Sequence, residues 1–124
     1  MARLATGVDL VEIDRLNVVI QRYGRQFLER IYTAQELVEA GASPASLAAR
    51  FAAKEAVAKA LGCGIGKVAW KEIEVLRGSE RQPCLKLHGA ASRLAAELGL
   101  EDWSISLSHS RTHAVAFVVA LGNP

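Results

Sequence analysis

The sequence predicts an α+β fold, a small and mostly antiparallel sheet packed with helices, one of them long. Three observations carry this. Leu47, Phe51, Ala58 and Leu61 share one face of an alanine-rich stretch that Ser43-Pro44 opens and Gly62 can stop, which predicts a long helix from about Pro44 to Leu61. Trp70 to Leu76 and Cys84 to Leu87 alternate as strands do, with the turn-rich Gly78 to Pro83 between them. Trp103 to Ser108 and Ala114 to Leu121 bracket Ser110, Arg111 and Thr112 as a hairpin, and its second strand, apolar on both faces, must be central.

The remaining elements follow in order. Leu4 to Val11 mixes small and β-branched residues around Gly7, as a short strand would, and from Glu12 onward Ile13, Leu16, Ile20 and Phe27 recur at helical intervals. A strand therefore feeds a helix near Asp9. Thr33 with Glu36 three residues later is a capping-box signature for a short helix toward Gly41. Ala90 to Leu98 reads as a helix ended by Gly99.

At 124 residues the chain is one domain, 1–124, since a second core would leave each half too small to bury enough surface. A 51% hydrophobic and 23% charged composition excludes a disordered chain. Fifteen Lys+Arg against 13 Asp+Glu leave a net charge of +2, too balanced to argue for a nucleic-acid binder. Cys63 and Cys84 have no companions at zinc-ligand spacing and read as small apolar fillers in a reducing cytoplasm. No apolar run reaches the roughly 20 residues of a membrane span.

Several residues could carry chemistry. Strand alternation puts Asp9 on the side of Val11 and Ile13, pointing its carboxylate toward apolar surroundings. It is either the N-cap of the following helix or a metal ligand. Glu55 falls about 80° from Leu47 on the helical wheel, at the edge of the buried stripe. An i,i+4 salt bridge to Lys59 would account for it. Yet Arg50, Lys54 and Lys59 crowd this acid on a helix otherwise built from alanine, more cation than packing requires. Phosphates would explain that crowd, with a carboxylate holding Mg²⁺ between them. The glycines of Gly62 to Gly66 follow a helix rather than precede one, so they form neither a Walker loop nor a dinucleotide fingerprint. They are either a helix stop with a flexible turn or a loop that lets a ligand approach. His109 shares parity with Ile105 and Leu107 at a strand end, a position open to a structural or a functional role.

Gly7-Val8-Asp9, Arg50-Phe51-Ala52-Ala53-Lys54-Glu55-Ala56 running into Lys59-Ala60-Leu61-Gly62, Trp70 to Val75, and Ser106-Leu107-Ser108-His109-Ser110 occur in that order. Taken together the set resembles the holo-acyl-carrier-protein synthases over nearly the whole chain. The resemblance implies a phosphopantetheinyl transferase-like α+β subunit, a homotrimer with sites at subunit junctions, and an attack by a carrier-protein serine on the β-phosphorus of coenzyme A that releases adenosine 3′,5′-bisphosphate. It implies Asp9 and Glu55 as Mg²⁺ ligands and Lys59 as the lysine reaching the pyrophosphate. Arg50, Lys54 and His109 match positions near the nucleotide's phosphates, and Gly62 one lining the nucleotide cleft. Arg15, Arg22 and Arg25 match the docking surface for an acidic acyl carrier protein, with an inserted residue near Tyr23 and Gly24 setting this chain apart.

Two other readings stand beside this one. A non-catalytic module binding coenzyme A or an acidic partner would keep the cations without needing the paired carboxylates. The same chemistry could instead serve carrier domains of polyketide or peptide synthases, although the short chain favours the fatty-acid carrier.

Overall fold

The structure, a computed structural model, describes residues 2–123. Strands β1 (Arg3–Glu12), β4 (Asp102–His109) and β5 (His113–Gly122) form an antiparallel sheet in the order β1-β5-β4, so the strand that is apolar on both faces is central. The two remaining strands, β2 (Ile73–Arg77) and β3 (Pro83–Leu87), pair with each other as a separate two-stranded sheet. Two small sheets therefore stand where the sequence suggested one. Trp70–Glu72, expected to open β2, form a 3₁₀ turn closed by the Glu72 amide on the Ala69 carbonyl.

The helices are α1 (Ile13–Ile31), α2 (Ala34–Ala40), α3 (Pro44–Ala60) and α4 (Gly89–Glu97). Ser43 accepts from the Ser46 amide at the start of α3. At its end Gly62, with φ +75°, donates to Lys59 O while Cys63 donates to Ala58 O, the paired bonds of a Schellman stop. Thr33 and Glu36 form the capping box read from the sequence. The strand preceding α1 is longer than expected: it runs to Glu12, which takes the N-cap position, so Asp9 lies within β1 and caps nothing. Gly24 interrupts α1 with φ +61° and ψ −140°, so residues on either side of it do not share one helical wheel.

Helix α3 lies at the centre. Its Ala52, Ala53, Ala56 and Val57, together with Ala116, Val118 and Ala120 of β5, belong to a core that β2 and α4 complete. A second core joins α3 to α1 and α2 through Ile13, Leu16, Ile20, Tyr32, Ala40 and Leu47. Small side chains let strand and helix approach unusually closely: a Cβ on Gly7 would overlap the Ala56 carbonyl oxygen. The other face of the sheet is bare, with Leu4, Val8, Leu10, Phe117 and Leu121 all exposed.

Candidate active site

The contact at Gly7 sets the geometry of the site, because Asp9 follows two residues later on the same face of β1 and Glu55 immediately precedes Ala56. The Asp9 side chain is only 20% exposed, and its Oδ1 accepts from Lys59 Nζ at 3.1 Å. Lys59 Nζ also donates to Val8 O at 2.9 Å. In place of the i,i+4 bridge that could have joined Glu55 to Lys59 stands this tertiary one across 50 residues. An ammonium has three N–H groups, so one remains free on a side chain that is half exposed.

Glu55 is half-buried beside this pair. Burial above all, and then the negative charge of Asp9, push its carboxyl above the usual carboxylate range, while Lys59 draws it back. Together Asp9 and Glu55 line a cleft of about 490 Å³ with Glu12, Arg15, Val19 and Phe51. Two like charges held close, with unused oxygen lone pairs, suit a hard divalent cation that keeps several waters or ligand oxygens of its own. They do not suit a cation needing a full protein cage, since among the described residues no three His, Cys, Asp or Glu side chains gather as a metal cluster.

The other cations of α3 are engaged elsewhere. Lys54 is fully buried, and its Nζ donates to Glu36 Oε1 at 2.8 Å, Trp70 O at 3.0 Å and Ile73 O at 2.5 Å. Its three N–H groups are spent, which removes Lys54 from the set of phosphate ligands. Arg50 is buried too, donating to Val75 O, Ser46 Oγ and Glu39 Oε1. Two of its five N–H groups remain, and Arg50 borders a second cleft of about 430 Å³. His109, at the end of β4, lines this cleft, as do Arg77, Arg81 and Ser46.

Arg77 and Arg81 are not among the residues that the sequence singles out. Their signal is one arginine just before the turn-rich Gly78 to Pro83 segment and one inside it. The two clefts share no lining residue within one chain. Gly62 lines neither of them, and its positive φ serves the stop of α3.

Of the arginines on α1, Arg15 reaches the rim of the Asp9–Glu55 cleft. Arg22 is seven residues further, nearly the same angle on the wheel, and exposed. Arg25 lies past the Gly24 break and pairs with Glu29 at 2.8 Å, so of these three arginines only the first two share one helical arc.

A family model described as the 4'-phosphopantetheinyl transferase superfamily matches residues 5–118. A holo-[acyl-carrier-protein] synthase of Herpetosiphon aurantiacus is 52% identical, covering 96% of this chain and 99% of its own length. Among solved structures, the holo-[acyl-carrier-protein] synthase of Helicobacter pylori in complex with coenzyme A superposes with a TM-score of 0.85 at 31% identity, covering 93% of this chain and 98% of that one. The corresponding enzyme of Neisseria meningitidis gives a TM-score of 0.85 at 37% identity, over 94% and 96% of the two chains.

Proposed function

Because the chain belongs to the holo-[acyl-carrier-protein] synthases of the 4'-phosphopantetheinyl transferase superfamily, we propose that Asp9, Glu55 and Lys59 carry out the transfer. The activity is that of a transferase moving phosphopantetheine from coenzyme A to an apo acyl carrier protein. The observation that carries the residue assignment is the junction at Gly7, which sets two carboxylates on one cleft, one of them paired with a half-exposed lysine that keeps a free N–H. Residues 1–124 act as one transferase domain.

Asp9 and Glu55 would hold Mg²⁺, and the donor set fits it: hard oxygens, mutual repulsion, and room left for phosphate and water. A Mg²⁺ held there would supply charge neutralisation to the pyrophosphate. The free N–H of Lys59 is available to a pyrophosphate oxygen as the bond to adenosine 3′,5′-bisphosphate breaks and the carrier serine bonds to the β-phosphorus. Glu55, with its raised pKa, can take the serine proton directly or through a water. Arg50, Arg77, Arg81 and His109 offer a cationic wall for the nucleotide's phosphates.

This wall and the carboxylate cleft occupy different parts of one chain, and the bare face of the large sheet exposes Leu4 by 66% and Leu10 by 63%. Both facts support a homotrimer in which neighbouring copies complete one another's sites and cover that face. Sedimentation equilibrium showing an active monomer would refute it.

Arg15 and Arg22 form the basic face offered to the acidic carrier, and the reaction supports fatty acid biosynthesis in the cytoplasm. Among the described residues no helix is long and apolar enough to cross a membrane. The deciding experiment incubates apo acyl carrier protein with the enzyme, coenzyme A and Mg²⁺ and weighs the product by mass spectrometry. A carrier that gains the phosphopantetheine mass only when Asp9, Glu55 and Mg²⁺ are all present supports the assignment, and one modified without them rejects it.

A further inference from the structure

Helix α3 poses a packing problem that its alanines cannot solve. Ala48, Ala49, Ala52, Ala53, Ala56 and Ala58 are all buried, and a cylinder walled by methyl groups has only shallow ridges to lock into its neighbours' grooves. Its backbone hydrogen bonds point along its axis and are indifferent to rotation about it. A directional contact must therefore set the angle at which α3 presents Glu55 to Asp9.

Lys54, the residue before Glu55, makes such a contact. Its ammonium meets three acceptors on three other elements, Glu36 on α2, the carbonyl of Trp70 in the 3₁₀ turn and that of Ile73 at the start of β2. Glu36 is itself fixed, accepting from Thr33 N at 2.8 Å and Val75 N at 2.9 Å. Both charged side chains are 0% exposed. A buried ion pair is seldom more stabilising than apolar residues of the same volume, so its presence where Met and Leu would pack points to geometry rather than to stability.

We infer that the Lys54–Glu36 pair is a positioning device that fixes the rotation of α3 and with it the approach of Glu55 to Asp9. This rests on the reading of Glu55 as a catalytic carboxylate. A carboxylate about 6 Å from the helix axis moves by about 2 Å when the helix turns by about 20°. Displacements of about 1 Å in an active site can cost ~100-fold in rate.

The test is the double variant Lys54→Met/Glu36→Gln. It is neutral, and the one carbonyl oxygen of the glutamine introduced in place of Glu36 can still accept from one of the two amides that Glu36 serves. Its melting temperature, kcat, and the KM values for coenzyme A and carrier protein are compared with those of the parent. Expected are a variant folded at the assay temperature, its melting temperature lowered only by the one amide bond lost, with KM values within about twofold and a kcat lower by at least ~30-fold. A kcat that stays parental in the folded variant overturns the inference. If the double variant does not fold, Lys54→Arg, which keeps the charge facing Glu36 but cannot set a single nitrogen on all three acceptors, takes its place, with kcat lowered or parental in the folded variant as the two outcomes. Glu55→Gln run alongside separates the failures. Should it be fully active, the premise about Glu55 falls, whereas an inactive Glu55→Gln beside a parental double variant sinks only the positioning role.

Discussion

The two sides of α3 carry the same kinds of residue and treat them in opposite ways. Toward α2 and β2, Arg50 and Lys54 are buried, and Lys54 has no N–H group to spare. Toward β1, Lys59 is half exposed with one N–H unused, and Glu55 carries a carboxyl that its surroundings make reluctant to ionise. A charge whose bonds are complete builds the fold, and one left with bonding capacity or electrostatic strain is available for chemistry. Counting saturated donors separates the two sides where the density of charge in the sequence does not.

The largest expected effect falls on the β1 side. Asp9→Ala or Glu55→Gln lowers transfer by at least ~10²-fold, read by mass spectrometry of the carrier, with the thermal melt of Asp9→Ala close to parental. Removing divalent cations with EDTA abolishes transfer in the parent, and added Mg²⁺ restores it. A parent that stays active in EDTA breaks the metal reading.

The next prediction inverts the pattern across the helix. Lys54→Met alone strands the Glu36 charge and costs about 3–5 kcal/mol in urea denaturation, whereas Lys59→Met, removing a solvent-screened pair, costs about 1 kcal/mol or less while lowering kcat. Equal stability losses would erase the contrast.

Smaller still is the effect at the rim. Charge reversal at Arg15 or Arg22 raises KM for the carrier severalfold and leaves that for coenzyme A unchanged, with a steep dependence on ionic strength. A rise for coenzyme A instead would move these arginines into the nucleotide site.

The subtlest prediction concerns pH. The folded-state pKa of Glu55 is raised, so its ionised form is disfavoured in the native protein and burdens stability at neutral pH. Without metal, Glu55→Gln is therefore slightly more stable than the parent at pH 7. Its advantage fades as pH falls through that raised pKa, because the parent's carboxyl then becomes neutral too. A variant less stable than the parent at pH 7 rules this out.

What the sequence makes legible is what local chemistry dictates. The Thr33–Glu36 box, the Ser43 cap, the Gly62 stop and the apolar strand β5 each announce themselves within a few residues, and each is present. The partners that saturate Lys54 and engage Arg50 are not legible in this way. Glu36 and Glu39 lie 18 and 11 positions away, on a helix whose sequence speaks only of capping. The same limit hid the bridge from Lys59 to Asp9, for which the nearby Glu55 was the natural local candidate. His88, with no neighbouring constellation in the sequence, turns out to sit 3.0 Å from Glu74, which Thr33 also holds. The break in α1 left only a trace, a change of spacing around a glycine.

The approach of β1 to α3 at Gly7 narrows what this chain can become. Where a side chain separates two elements, a larger or smaller one can be tried and its neighbours can adjust, so such positions drift. Here the spacer is missing, and even a methyl group would have to displace a backbone carbonyl rather than a rotamer. No neighbouring side chain can be trimmed to make room. Substitutions at position 7 therefore have no second-site suppressor within the core, and a mutational library of this protein should return glycine there whichever carrier it is selected to serve.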